Sequence, residues 1–216
     1  MTINILTLFP HYFDSSLQES ILKRAQDSNI IKVNIINIRD YSNNKHKTAD
    51  DRPFGGGPGM VMQIEPIFKA LKDLNISKGQ ANSKIVLTSA KGSSFTQQTA
   101  HSYSKLESLT IICGHYEGVD ERVAQNLIDE EIRIGDFVLT GGEPAANIMI
   151  DAVIRLIPGV LGNDESNKNE SHSTPGQLTH PQYTRPEVFN NWSIPKILLS
   201  GDHKKISEWR KENSNK

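Results

Sequence analysis

The sequence is poor in cysteine: Cys113 is its only one, which excludes an internal disulfide and any metal site built from several cysteines. The seven histidines do not occur at the i, i+4 helical spacing of zinc hydrolases. Cys113 ends a predicted strand, where a lone cysteine is typical of a small buried residue. We therefore expect neither a zinc enzyme nor a disulfide-stabilised secreted protein, and we predict a cytoplasmic location.

The sequence also lacks long apolar runs and a charge excess. No apolar run approaches the about 20 residues that a membrane-spanning helix needs, and the first residues show no basic leader. The formal net charge is −1, so a nucleic-acid binder of this composition would need a local basic surface. We expect a soluble protein with no membrane partner, and RNA binding is neither indicated nor excluded by the overall charge.

Familiar motifs of nucleotide binding and hydrolysis are missing as well. The first predicted strand is followed by Phe9 and Pro10 instead of a glycine fingerprint, and no lysine follows a glycine loop in the Walker pattern. The chain has no nucleophile elbow of the kind that carries a hydrolytic serine. The ordinary dinucleotide-binding, nucleoside-triphosphatase and hydrolase classes therefore lose support.

Short apolar runs alternate with segments of helical periodicity along the chain. Strands are predicted over 3–8, 31–38, 85–87, 109–113 and around 132, and helices over 10–22, 64–74, 96–106, 119–128 and 144–157. This alternation predicts an α/β fold with a parallel sheet and helices on both faces. We assign residues 1–162 to this domain.

The remaining residues differ in composition. Residues 163–179 have almost no apolar side chains, which is typical of a flexible linker. Residues 180–216 are predicted to form a small helical appendage, with helical segments over 186–192 and 204–211. This assignment divides the chain into a domain, a linker and a short C-terminal domain.

Glycines cluster in three runs, over 55–59, 114–118 and 135–142, and the last two each follow a predicted strand. Ligands of open α/β sheets bind beyond the carboxyl ends of the strands, and glycine there lets the backbone approach a flat ring closely. Two such loops could make a backbone-lined pocket for a nucleoside. Each could equally be a tight turn that needs a positive φ.

Five motifs together resemble the bacterial tRNA (guanine-N1)-methyltransferases, a family of the knotted SPOUT class of S-adenosylmethionine-dependent enzymes. They span 50–60 (DDRPFGGGPGM), 114–122 (GHYEGVDER), 134–139 (IGDFVL), 157–162 (IPGVLG) and 183–186 (YTRP). The resemblance implies a deep trefoil knot, a homodimer with shared active sites, and methyl transfer to N1 of guanine 37 of tRNA, not of DNA. It further implies S-adenosylmethionine binding by Ser89, Gly114, Tyr116, Glu117, Ile134, Gly135, Val138, Leu139, Gly141, Gly142 and Pro144.

The resemblance also implies catalytic roles. Because N1 of neutral guanine carries a proton, a base must remove it, and a cation should stabilise the charge that develops on O6. The implied cation is Arg155, Glu117 lies near the methionine end or the target base, and Glu170 stands where the family has an aspartate base. Asp164 and His172 are alternative bases. Magnesium is implied by the resemblance alone, with Glu117, Glu170 and Asp136 as the acids near it.

Two alternative functions remain open at this stage. One is a SPOUT methyltransferase that acts on another RNA, and the other is a catalytically impaired relative that binds RNA or cofactor. Candidate phosphate contacts are local basic residues in two regions, namely Arg39, Lys45, Lys47, Arg52, Lys196, Lys204, Lys205, Arg210 and Lys211.

Overall fold

The computed structural model describes residues 1–162 and 170–214. The contacts divide the chain into two units, Met1–Gly162 and Asn163–Lys216. Within the described ranges, no helix combines the length and the apolar composition that crossing a membrane would require. The first unit contains seven strands and five α-helices among the elements given below.

The strands of the first unit are β1 (Thr2–Thr7), β2 (Lys32–Asn37), β3 (Asp50–Asp51), β4 (Val61–Met62), β5 (Ser83–Ser94), β6 (Ser108–Cys113) and β7 (Glu130–Arg133). Five of them form one sheet in the spatial order β2-β1-β6-β5-β7. Every neighbouring pair in this sheet is parallel, while β3 and β4 form a separate antiparallel ribbon. The predicted parallel sheet is thus confirmed.

The helices of the first unit are α1 (Ser20–Asp27), α2 (Ile64–Asp73), α3 (Gln97–Tyr103), α4 (Glu121–Asn126) and α5 (Glu143–Ile154). Successive side chains of a strand point to opposite faces, so Ile111 packs with α1, α3 and α5 whereas Ile112 packs with α2 and α4. Burial of both faces explains the continuous apolar runs of the central strands. The prediction of helices on both faces is confirmed.

The segment after β1 differs from its prediction. The apolar spacing predicts one helix over 10–22, but two 3-10 turns, Pro10–Phe13 and Ser16–Gln18, come first, and α1 begins only at Ser20. Glu19 is extended, with a φ of −120° and a ψ of 152°, which interrupts any continuous helix. Phe13 and Leu17 are nevertheless buried. The apolar spacing therefore predicts correctly which side chains are buried, but the prediction of a continuous helix is wrong.

The second unit contains β8 (Val188–Phe189), β9 (Trp192–Ser193), a 3-10 turn at Lys196–Leu199 and α6 (His203–Asn213). The helix predicted over 204–211 is confirmed by α6, but the helix predicted over 186–192 is wrong, because β8 and β9 form an antiparallel hairpin there. Asn190 and Asn191 both have positive φ values, 48° and 65°, as a two-residue type I′ turn requires. The appendage is therefore a hairpin followed by a helix.

The predicted linker, 163–179, lies partly outside the described residues. Asp164, one of the two alternative bases, lies wholly outside them. Of the part that is described, 170–179 is folded back by local hydrogen bonds. His172 donates its backbone N–H to the carbonyl of Gln177 at 2.6 Å, and Thr179 donates to the Ser171 hydroxyl at 3.0 Å.

Candidate functional site

A cavity of about 530 Å³ opens in the first unit beyond the carboxyl ends of β6 and β7, beside the point in β5 where its pairing with β6 ends at Thr88. This is the edge where ligands bind in open α/β sheets. The lining consists of residues 87–91, 114–119, 131–135 and 137–142, together with Glu121, Ala124 and Ala145. Two of the three glycine runs therefore meet in one cavity.

The cavity brings together nearly all the residues predicted to bind cofactor: Ser89, Gly114, Tyr116, Glu117, Ile134, Gly135, Val138, Leu139, Gly141 and Gly142. Pro144 is not among the lining residues; it occupies the first turn of α5, where a proline fits because its missing N–H would have no partner. The sequence analysis missed Thr88 and His115, which also line the cavity. Thr88 could have been found from its position at the end of the predicted strand.

Two hydrogen bonds join the chain segments at the floor of the cavity. Gly142 donates its N–H to the carbonyl of Gly114 at 2.7 Å, and Gly114 donates its own N–H to the Thr88 hydroxyl at 3.1 Å. A Cβ on Gly142 would overlap the Thr88 hydroxyl and come within 2.8 Å of the Gly114 nitrogen. Glycine is required at 142 because the two loops touch there.

The loop after β6 holds a side chain in an unusual backbone conformation. Tyr116 has a φ of +61°, which residues with a Cβ rarely adopt. Residues in such strained conformations cluster at functional sites. Its hydroxyl accepts a hydrogen bond from the Arg39 guanidinium at 3.2 Å. The loop is closed by the Gly118 N–H, which donates to the His115 carbonyl at 3.2 Å. Tyr116 is thereby held at the cavity wall.

The first glycine run reaches the cavity through Glu117. The Glu117 N–H donates to the carbonyl of Met60 at 3.0 Å, and the Met62 N–H donates to the carbonyl of Gly118 at 2.9 Å. Gly59 has a φ of +77°, and a Cβ there would lie 2.5 Å from Cγ of Glu117. The run over 55–59 therefore packs against the side chain that the resemblance assigns to the methionine end of the cofactor.

Apolar side chains of the loop after β7 face solvent within the single chain. Phe137 is 57% exposed and Val138 85% exposed. Single exposed apolar residues are ordinary, but adjacent ones on a pocket loop are typical of a surface that meets a ligand or another protein. The loop is anchored at its start by Arg133, whose Nε donates to the Asp136 carboxylate at 2.7 Å.

Two pairs of charged side chains lie near the cavity. The Lys91 ammonium lies 2.5 Å from a carboxylate oxygen of Glu121, and hydrogen bonding by Arg122 lowers the pKa of Asp120.

Within 1–162 and 170–214, no group of three or more His, Cys, Asp or Glu side chains is arranged to hold a metal ion. Magnesium is commonly held by only one or two carboxylates and several waters, so its binding near Glu117 and Asp136 stays a prediction.

Cys113 is fully buried at the end of β6, and burial raises the pKa of its thiol, with a further contribution from the negative charge of Glu143. A buried neutral thiol is a poor nucleophile. The interpretation of Cys113 as a small core residue is confirmed.

The predicted base and cation do not lie among the lining residues. Arg155 follows the last residue of α5, whereas Gly142 at the cavity precedes its first. Since α5 has 12 residues, its two ends lie about 18 Å apart. Glu170 belongs to the second unit, where its carbonyl accepts hydrogen bonds from Ser173. Within the first unit, the cavity therefore gathers the predicted cofactor residues without the predicted cation.

Comparison with known proteins gives a consistent result. A family model described as tRNA (Guanine-1)-methyltransferase TrmD matches residues 1–216. A protein from Dehalococcoides mccartyi strain CBDB1, named tRNA (guanine-N(1)-)-methyltransferase, is 53% identical over 99% of this chain and 86% of its own length. Proteins of the same name from Staphylococcus carnosus and Carboxydothermus hydrogenoformans are 53% and 52% identical, over 98% and 99% of this chain and 85% and 83% of their own lengths.

Proposed function

The chain belongs to the tRNA (guanine-1)-methyltransferase family, and on this premise we propose that it methylates N1 of guanine 37 of tRNA with S-adenosylmethionine as the donor. The observation that carries the proposal is the cavity beyond the ends of β6 and β7, whose lining includes residues of two of the family's glycine motifs. The proposed cellular location is the cytoplasm, where tRNA is available.

The cavity fits a nucleoside-containing ligand. Its volume of about 530 Å³ lies within the range of roughly 300–1,000 Å³ typical of small-molecule sites. Gly114 and Gly142 let the two loops pack closely against Thr88 and each other, and backbone groups of residues 134–142 can pair with the edge of an adenine. When bound, S-adenosylmethionine supplies an electrophilic methyl group on a sulfonium. The protein's part is to hold two partners in line, which is a positioning task.

The proposed proton acceptor is Glu170. N1 of guanine loses its proton as it gains the methyl group, so a carboxylate within about 3 Å of that proton would assist. Arg155 is the proposed cation for the charge on O6, and Glu117 faces the cofactor site. His172 remains the alternative base among the described residues. Each of these roles rests on the family resemblance.

We propose that two copies of the chain share each site. Arg155 lies about 18 Å along α5 from the cavity, so a second copy is the simplest source of a cation at the first copy's cavity. The exposed Phe137, Val138 and Ile148 offer apolar surface for such a contact. Light scattering should give twice the chain's 24.1 kDa mass. A monomer at enzyme concentrations where turnover is seen would contradict this proposal. A trefoil knot, as in the SPOUT class, is part of the same proposal.

The second unit is the proposed tRNA contact. Lys204, Lys205, Arg210 and Lys211 lie on α6 and are exposed. Binding through phosphates should weaken steeply as the salt concentration rises. Each substitution that removes a phosphate contact should reduce the magnitude of the slope of log affinity against log salt by about one. A tRNA affinity independent of salt would count against this interface.

The test is methyl transfer from labelled S-adenosylmethionine to two tRNA transcripts that differ only in carrying guanine or adenine at position 37. Transfer to the guanine transcript alone supports the proposal. Transfer to both, or only to another RNA, would favour a different substrate, and cofactor binding without any transfer would favour an impaired relative.

The base assignment has its own test in single turnover. Glu170→Gln should slow transfer, by roughly 100-fold or more if the carboxylate is the base, whereas Glu170→Asp keeps a carboxylate and should retain most of the rate. His172→Gln is the matched variant for the alternative. A full rate in Glu170→Gln would eliminate Glu170.

A further inference from the structure

A buried carboxylate lies directly beneath the cavity floor. Glu143 begins α5, and its side chain is only 3% exposed. Its Oε1 accepts a hydrogen bond of 2.7 Å from the Thr7 hydroxyl at the end of β1. Burial of a carboxylate is costly unless hydrogen bonds or a cation offset it. The methyl-transfer roles proposed above do not use this group, so its burial calls for another explanation.

The second neighbour of Glu143 is His115. Its Nδ1 lies 3.8 Å from Oε2 of Glu143 and is buried with no hydrogen-bond partner among the described residues. The imidazole is held by two aromatic rings, those of Phe9 and Tyr116, each with a centroid 4.9 Å away. His115 is therefore fixed with one nitrogen directed at the buried carboxylate while its ring lines the cavity.

Gly141 passes between these two side chains. A Cβ on Gly141 would lie 2.5 Å from Oε2 of Glu143 and would overlap Nδ1 of His115. His115 and Gly141 also form an isolated β-bridge, next to the hydrogen bond from Gly142 to Gly114. The loops after β6 and β7 are thus joined at the point where Glu143, Thr7 and His115 converge.

We propose that Glu143 is a positioning residue that fixes the Gly141–Gly142 backbone against the Gly114–His115 backbone through Thr7 and His115. The loops then present their amides and carbonyls to the donor before it binds, which lowers the ordering cost of binding. The inference rests on the proposed function, because it takes S-adenosylmethionine as the ligand. It predicts an effect on cofactor affinity that exceeds the effect on the chemical step.

The test measures S-adenosylhomocysteine binding by calorimetry, together with KM for the donor and kcat. Thr7→Val removes the hydrogen bond to Glu143 together with the acceptor of the Phe9 N–H at 2.9 Å, and it should weaken binding by roughly 10-fold. Glu143→Ala should weaken it by about 100-fold. Both should raise KM by similar factors and leave kcat at saturating donor nearly unchanged. Glu143→Gln keeps an acceptor for Thr7 and a polar group facing His115, so it should recover most of the affinity.

Thr110→Val is the matched control. Thr110 is a fully buried threonine of the neighbouring strand β6 whose hydroxyl accepts a hydrogen bond of 3.3 Å from Asn4, away from the cavity. It should lower the melting temperature as Thr7→Val does while leaving the affinity unchanged. Equal affinities for Thr7→Val, Thr110→Val and the unaltered chain would overturn the positioning role, and this comparison decides even if Glu143→Ala does not fold. Failure of the unaltered chain to bind S-adenosylhomocysteine would overturn the proposed cofactor, and the inference with it.

Discussion

The two units of the chain are stabilised in different ways. In Met1–Gly162, apolar side chains such as Ile5, Ile111 and Ile112 are completely buried, in one cluster on each face of the sheet. No side chain of the described residues 170–214 is buried to that extent, and Trp192 is 68% exposed. The first unit has the core of an independently stable domain, and the described part of the second does not.

The second unit depends on local hydrogen bonds and turns instead. Asp202 caps α6 by accepting the backbone N–H groups of Lys204 and Lys205, each at 3.1 Å. The ring of Trp209 packs near those of His180 and Tyr183 at centroid distances of 6.2 and 6.3 Å. Caps of this kind contribute about 1 kcal/mol each, less than a buried aliphatic side chain. Substitutions should therefore act globally in the first unit and locally in the second.

The largest effect is expected at the cavity floor. Gly142→Ala should lower kcat/KM by at least about 100-fold, because the new Cβ overlaps Thr88 and pushes the two loops apart. Gly162→Ala is the matched control, since a Cβ on Gly162 would meet no atom of the described residues within 4 Å and its φ is not positive. Steady-state assays of both variants check this, and equal activities would refute the contact.

The next largest effect is expected from a substitution in the core of the first unit, which should affect stability far more than one in the second unit. Ile111→Ala is expected to cost about 3 kcal/mol and to lower the melting temperature by about 6–12 °C, because Ile111 is completely buried. Leu199→Ala in the second unit, where the side chain is 49% exposed, should change stability by less than about 0.5 kcal/mol. Comparable shifts in calorimetry would show that the second unit shares the stability of the first.

The hairpin offers a test confined to the second unit. Asn191→Ala should destabilise the β8–β9 turn by about 1 kcal/mol, because alanine disfavours the φ of 65°. Asn191→Gly, which tolerates that φ, is the control. Hydrogen exchange at the Ile194 amide, which donates to the carbonyl of Glu187 at 3.1 Å, should accelerate in the alanine variant only. Faster exchange in β1 as well would mean that the hairpin supports the first unit.

The smallest effect is a pH dependence in the first unit. Burial alone would raise the pKa of Glu130, but hydrogen bonds from Lys84 and Tyr103 outweigh it and lower that pKa. A lowered folded pKa stabilises the protein above the unfolded value of 4.5, and the contribution is lost as the pH falls through the folded value. Lys84→Met should therefore cost about 0.5 kcal/mol at pH 7 and less in acid. If the free energy of unfolding of Lys84→Met differed from that of the unaltered chain by the same amount at every pH, the contribution of this ion pair would be refuted.

The cavity could be predicted from the sequence because its walls are local features. Glycine runs that follow predicted strands can be recognised in the sequence, and parallel strands bring their carboxyl ends to the same edge of the sheet. The contact between Glu143, Thr7 and His115 could not be predicted in the same way, since the three residues come from α5, β1 and the loop after β6. The hairpin was missed for a different reason. Asn190-Asn191 between Phe189 and Trp192 is a recognisable turn signal, but the prediction of a helix over 186–192 did not take it into account.

The sequence by itself determined the α/β alternation, the burial of both faces of the sheet, and the glycine motifs that define the family. These depend on side-chain periodicity and on residue type at single positions, which a linear string records. Tertiary structure alone decided that Gly142 touches Gly114, that Gly141 lies between Glu143 and His115, and that Arg155 stands at the far end of α5 from the cavity. Those facts depend on strand order and helix direction, through which residues distant in sequence come within contact distance or are kept apart.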